Sequence, residues 1–246
     1  MKTFKAVISY DGRFYEGFQR QPNKETIQGI LERELSRLLN KKTLIHGAGR
    51  TDSGVSAKGQ VVSFKGNSPI RDLEKLRYAW NRLLPRSIFC SSLEIKDDMF
   101  DARHSCVGKR YSYSFSYPER NPLNAFESPL AVGSFDYSLF EKGMRVYEGK
   151  HDFKNFTTKK EDKDHFIRTL HIESIQNKDG HIRVLLSANG FMTYMVRLLV
   201  GAALKVATGK FALEVLESYL DNDQRKILSF KADPIGLVLE EVLYER

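Results

Sequence analysis

The chain of 246 residues reads as an α+β protein, and three observations say so. Its first half alternates strand-like and helix-like segments joined by short connections. Residues 110–117 alternate aromatic and serine side chains almost without a break. The second half repeats, loosely, the strands and helices of the first. That order argues against an all-helical bundle and for mainly antiparallel strands with helices gathered on one face.

Residues 4–10 alternate as a strand and are stopped by Asp11-Gly12. A polar loop follows, carrying Arg13, Gln19, Arg20 and Gln21 with Phe14, Tyr15 and Phe18 among them. Ile27, Ile30, Leu31, Leu35, Leu38 and Leu39 then recur at helical spacing behind Thr26, a side chain suited to cap a helix start. Residues 57–64 predict a second strand, 73–84 a helix and 88–95 a third strand. The aromatic–serine stretch is the clearest strand of all. Asn121-Pro122-Leu123 and Ser128-Pro129 mark a long surface crossing. Residues 135–147 read as a helix, and 168–175 with 181–188 as a hairpin turning at Lys178-Asp179-Gly180. A long helix is expected from Phe191 to about Thr208, stopped by Gly209. A short helix over 212–219 and a last strand over 237–244 complete the chain. The domain boundary is expected near 103–108, giving domains 1–104 and 105–246.

The length suffices for a sizeable core, and a chain 41% hydrophobic and 11% aromatic is not a disordered one. Thirty-nine Lys and Arg against 31 Asp and Glu leave a net charge of +8. That excess suits a polyanionic partner such as nucleic acid, because neutralised phosphates release counterions; it also serves solubility. Cys90 and Cys106 form neither a disulfide framework nor a CxxC motif, which fits a reducing compartment. No secretory h-region follows Met1, and the apolar run 191–207 is broken by Arg197 and Lys205. A soluble, cytoplasmic protein that does not span a membrane is expected.

Residues 47–55, Gly-Ala-Gly-Arg-Thr-Asp-Ser-Gly-Val, place a carboxylate beside a guanidinium in a glycine-punctuated turn between two apolar stretches. A dinucleotide-binding loop is excluded, since Asp52 stands where its third glycine belongs and would repel phosphates. Asp52 is then either a turn residue, as Asp often is, or a reactive carboxylate. A model Asp, with a pKa of about 3.9, is ionised at neutral pH and needs no activating base. Carboxylates attack sugar anomeric carbons in enzymes that break glycosidic bonds. A hydrolase wants a second carboxylate, and Asp97-Asp98 and Glu161-Asp162 look like surface charge. A lone Asp suits cleavage of a glycosidic bond without admission of water. Lys109 and Arg110 before Tyr111 make an aromatic-plus-cation edge suited to a stacked base and its phosphate. Arg197, the one charge in residues 192–200, either pairs or emerges at a site, and Asp52 is a candidate partner. The histidines have no metal-ligand spacing and no nucleophile–His–Asp pattern is visible, so neither metal nor cofactor is expected.

Together these residues resemble the TruA family of tRNA pseudouridine synthases. The resemblance rests on Tyr10-Asp11-Gly12 with Gly17-Phe18-Gln19-Arg20-Gln21, on Gly49-Arg50-Thr51-Asp52-Ser53-Gly54-Val55, and on Phe100-Asp101-Ala102-Arg103. It continues through Lys109-Arg110-Tyr111, Gly149-Lys150-His151-Asp152-Phe153, Met195-Val196-Arg197 and Pro234-Ile235-Gly236-Leu237. The chain departs from the family's habit at Phe18, Ser56 and Leu198, where Trp, His and Asn are common. The resemblance implies that Asp52 is the catalytic aspartate, organised by Arg50 and Arg197, and that Tyr111 stacks on the target uracil. It implies a base-packing role for Leu237. Substrate contacts are further expected from Gln19, Arg20, Arg103 and Arg110, with Arg20 or Arg103 holding the displaced strand. It further implies two ferredoxin- or RRM-like α/β domains sharing a mainly antiparallel sheet, the second completing the active-site cleft. A homodimer acting on uridines 38, 39 and 40 of the tRNA anticodon arm, without a cofactor, follows from the same likeness.

Overall fold

A computed structural model describes residues 2–66, 72–118, 123–130, 133–158, 166–221 and 226–245. The Asn121-Pro122 turn and the Glu161-Asp162 pair lie outside the described residues. In chain order the elements are β1 (Lys2–Tyr10), α1 (Ile27–Leu38), β2 (Ile45–Gly47), β3 (Ser56–Gly66), α2 (Leu73–Leu83), β4 (Ile88–Lys96) and β5 (Cys106–Ser116). There follow β6 (Ser128–Pro129), α3 (Tyr137–Arg145), β7 (Gly149–Asp152), β8 (Ile167–Lys178), β9 (His181–Ala188), α4 (Met195–Ala207), α5 (Leu213–Ser218) and β10 (Leu237–Tyr244). The fold is α+β with predominantly antiparallel strands. Two compact units divide the chain: Met1–Val107 with Val238–Arg246, and Gly108–Leu237. The last strand thus counts with the first unit, where Val238 and Leu239 pair in parallel with Ser56 and Ala57 of β3.

In the first unit β1 lies between β4 and β3, antiparallel to both. Its alternation is the one the sequence predicts. Phe4, Ala6, Ile8 and Tyr10 are buried, while Lys5, Val7 and Ser9 are partly exposed. Phe4 stacks on Phe64 opposite it, with ring centroids 5.1 Å apart, and Trp80 of α2 meets Phe64 edge-on at 6.1 Å. Fully buried side chains of this size each contribute about 1.5–3 kcal/mol, so this aromatic cluster is a main anchor of the unit. The α1 helix begins where Thr26 accepts a hydrogen bond from Gly29 N at 3.3 Å, and it buries Ile27, Ile30, Leu31 and Leu35. Irregular pairing of β1 with β3 skips Ser9 and sets Tyr10 opposite Ala57, at the root of the turn that carries Asp52.

In the second unit β9 lies between β5 and β8, with β7 beyond β8, all antiparallel. Tyr113 and Phe115 bury one face of β5, and Phe140 of α3 meets Phe115 edge-on at 5.1 Å. The serine face is not a solvated one, since Ser112 and Ser116 are buried too. The hairpin turns where expected, through Asp179 and Gly180 at φ 52° and 81°, the consecutive left-handed residues that a two-residue hairpin uses. One expectation fails at its start: α4 begins at Met195, not at Phe191. Tyr194 takes a left-handed conformation, φ 62°, which a right-handed helix cannot contain, so the apolar residues before it leave the helix.

The α4 helix buries ten of its thirteen residues. At Gly201 it nearly touches the backbone of residue 230: a Cβ there would stand 2.3 Å from Phe230 O. Gly201→Ala must push the two segments apart, at a cost of about 1–3 kcal/mol. Thermal unfolding is expected several degrees below wild type, and an unchanged Tm would contradict this packing.

Candidate active site

Asp52 lies half-buried in the turn between β2 and β3. The turn is fixed from several directions. Ala48 N donates to Val61 O at 2.8 Å, Phe18 N to Thr51 O at 3.0 Å and Val55 N to Asp52 O at 3.1 Å. Ser53 Oγ donates to Tyr15 O at 3.2 Å, and Gly12 N to Ser56 Oγ at 3.0 Å. The segment 12–18 can come this close only because it carries glycine at the contacts. A Cβ on Gly12 would stand 1.9 Å from Val55 O, and Gly17, at φ +86°, lies where a Cβ would be 3.0 Å from Thr51 O.

Beneath the turn is a buried polar group that sequence reasoning missed. The Tyr10 hydroxyl and Thr51 Oγ1 share a 2.8 Å hydrogen bond, and Gln60 Nε2 donates to Gly49 O at 3.0 Å and to the Tyr10 hydroxyl at 3.4 Å. Burial pushes the Tyr10 hydroxyl up to about 12, offset only in part by the bonds from Thr51 and Gln60. It is therefore a neutral hydrogen-bonding group at working pH. Its one trace in the sequence is a polar tip ending an otherwise apolar strand face.

The cations of this unit divide by their partners. Arg50 is exposed and makes no hydrogen bond or ion pair among the described residues. Gln19 is likewise exposed, next to Phe18 where that residue's backbone holds the Asp52 turn. Arg20 is tied to the buried carboxylate of Glu32, which also accepts Ile45 N at 3.0 Å; its anchor thus doubles as the start of β2. Arg103 is exposed, its backbone N–H bonded to Asp101 Oδ1 at 2.8 Å.

In the second unit Tyr111 is buried on β5 and meets Phe191 edge-on at 5.1 Å. Arg197, half-buried in the first turn of α4, donates from Nε to Ala232 O at 2.8 Å, and Ala232 N returns a bond to Arg197 O at 2.9 Å. The Tyr194 ring centroid is 5.5 Å from the Arg197 guanidinium carbon and 4.3 Å from the Lys231 ammonium. Tyr113 donates its hydroxyl to Asp233 O at 3.0 Å, and the turn Pro234–Gly236 delivers the buried Leu237. One segment, 230–237, therefore ties Arg197, Leu237 and the Tyr113 end of β5 together. Arg110 is spent differently: its Nε donates to Glu173 at 2.9 Å. Although burial pushes the Glu173 carboxyl up, the bonds from Arg110 and Ser187 hold it below its usual range.

The family model described as tRNA pseudouridine synthase matches residues 6–105 and 144–245. The chain belongs to that family. The matched segments contain Gln19, Arg20, Arg50, Asp52, Arg103, Arg197 and Leu237, while Arg110 and Tyr111 fall between them. Relatives named tRNA pseudouridine synthase A, isomerases, are similar over their whole length. The one from Dictyoglomus turgidum is 37% identical over 99% of this chain and all of its own, and that from Clostridium botulinum Eklund 17B is 35% identical over the same shares. The relative from Lactococcus lactis subsp. cremoris is 33% identical over all of this chain and 98% of its own. A chain from the crystal structure of a Cbf5-Nop10-Gar1 complex superposes on 81% of this chain and 54% of its own, at a TM-score of 0.37 and 12% identity, too slight a likeness to build on.

In this synthase-family chain the Tyr10 hydroxyl makes a checkable contribution. Its folded pKa is raised above the ordinary tyrosine value, so its stabilising effect is complete below pH 10 and is lost as pH rises toward 12. The loss amounts to about 3 kcal/mol. Urea unfolding of wild type should show stability falling across that window, and Tyr10→Phe should fall less steeply. Parallel pH profiles would contradict the assignment.

Proposed function

We infer that this chain isomerises uridine to pseudouridine in the anticodon arm of tRNA, at positions 38, 39 and 40, with Asp52 as the catalytic carboxylate. The observation that carries the reading is the seating of Asp52. A half-buried carboxylate rides on a turn whose backbone is bonded at Gly49, Thr51 and Asp52 and whose Ser53 hydroxyl is bonded to Tyr15 O, a rigidity that a surface turn residue does not need.

The course of the reaction follows from the groups in hand. The excess of Lys and Arg draws the RNA stem-loop through its phosphates, and the target uridine leaves the stack. Arg50, exposed and without a partner among the described residues, suits a substrate phosphate better than an ion pair inside its own turn. Asp52 opens the C1′–N1 bond by attack on the sugar or the uracil ring, or by taking the C2′ proton; each begins from an ionised carboxylate. Tyr111 stacks on the freed uracil and Leu237 walls it, while the base turns to rejoin through C5, and the C5 proton passes to Tyr111 or Asp52. Water must be kept out, or the intermediate hydrolyses. Arg197, steadied by Ala232, orients the carboxylate. Gln19, Arg20, Arg103 and Arg110 are assigned to the RNA, with Arg20 and Arg110 acting from their carboxylate anchors. No cofactor enters the scheme. A cytoplasmic homodimer belongs to the same reading; no helix among the described residues is long and apolar enough to cross a membrane.

The test is pseudouridine mapping of anticodon-arm transcripts incubated with wild type and with Asp52→Asn. Wild type should convert uridines at 38 to 40. The variant should lose at least about a thousandfold in turnover while its RNA affinity stays within about twofold. Conversion by both proteins at the same rate, or by neither, would overturn the reading.

A further inference from the structure

Beside the Asp52 turn stands an aromatic ring that the scheme above does not use. Phe14 is 67% exposed, although both its neighbours in the turn Gly12–Phe14 and the residue after it are fastened down. Gly12 abuts Val55 O and donates to Ser56 Oγ, and the buried Tyr15 bonds Ser87 through its hydroxyl and accepts from Ser53 Oγ through its carbonyl. Arg13 is clamped by Asp11 through two donors, Nε and Nη2. Its guanidinium carbon lies 5.7 Å from the Phe14 ring centroid. Those bonds hold the Asp11 carboxyl below its usual range, so the clamp persists at working pH.

An exposed apolar ring by itself is ordinary on a protein surface. Here the backbone on either side of Phe14 is bonded to the catalytic turn itself, at Ser53 and Ser56. Tyr78 is equally exposed, but it sits on α2 and has no bond to that turn; Met99 and Leu123 are more exposed and not aromatic. A fixed aromatic face with a planar cation beside it is the surface a nucleobase stacks on, because every base has a π face and the ring loses no freedom on binding.

We propose that Phe14 is an RNA-stacking platform, which receives a base next to the target uridine while Asp52 acts on the target. The proposal rests on the reading of Asp52 as the catalytic carboxylate of an RNA-modifying enzyme. The occupant is a single nucleobase of the substrate strand. Arg13 serves the ring as a positioning residue, through Asp11.

The test uses an anticodon-arm transcript carrying 2-aminopurine at each nucleotide flanking the target in turn, with wild type, Phe14→Ala and Phe14→Tyr. Wild type should quench the probe at one flanking position. Phe14→Ala should abolish that quench and raise KM about tenfold with kcat unchanged, and Phe14→Tyr should restore both. Equal quenching by wild type and Phe14→Ala, or a loss that Tyr does not restore, overturns the proposal. So does a shift of Phe14→Ala in sedimentation velocity, which would place the ring against another subunit. If wild type makes no pseudouridine, the functional reading fails, and the quench still decides whether Phe14 stacks on RNA.

Discussion

The seating of the Asp52 turn on the segment 12–18 is the constraint on which the site depends. The role proposed for Asp52, meeting a specific atom of a sugar or a base, gains nothing from proximity unless the backbone of the carboxylate is held within a fraction of an ångström. The chain achieves this with two strands of polar contact. The main-chain bond from Phe18 N to Thr51 O and the side-chain bond from Ser53 Oγ to Tyr15 O grip the outer side of the turn, and Tyr10, Thr51 and Gln60 brace it from beneath. Both depend on β1 ending where it does, since the skipped residue Ser9 brings Tyr10 opposite Ala57.

The same seating explains why so many neighbours of Asp52 are small. Side chains at Gly12 or Gly17 would collide with the backbone of the turn, not with a yielding side chain. Arg50 and Gln19, beside this close contact in the chain, are exposed. The second unit repeats the device at Arg197. There the bonds from Arg197 Nε to Ala232 O and from Ala232 N to Arg197 O, with the approach of Gly201 to Phe230, fix the helix that carries the guanidinium.

Most strands were legible because one side is buried and the period of two shows, as in Phe4, Ala6, Ile8 and Tyr10. Short strands such as β2, of three residues, have no room for a period and were not read as strands. The start of α4 was misread for a related reason. Phe191 and Met192 continue the apolar pattern of the helix, and nothing in the side chain of Tyr194 announces a left-handed backbone. Nor could pattern alone assign β10 to β3, since strand pairing is decided by packing far apart in sequence. At the site, Asp52 was visible through its glycine-punctuated turn, and the family likeness supplied the role proposed for it. Tyr10 and Gln60 were not visible, because a buried hydrogen bond between residues 50 positions apart leaves no local mark.

The catalysis proposed for Asp52 requires the seating of the turn and not the carboxylate alone. Gly17→Ala tests it most directly, because the substitution removes none of the proposed catalytic groups and acts where the segment meets the turn, straining the left-handed backbone of residue 17 and crowding Thr51 O and Ser53 N. Single-turnover conversion of an anticodon-arm transcript at saturating enzyme isolates the chemical step. The account predicts a rate reduced about a hundredfold, with RNA affinity and far-UV circular dichroism unchanged. A wild-type rate from the folded variant would contradict it.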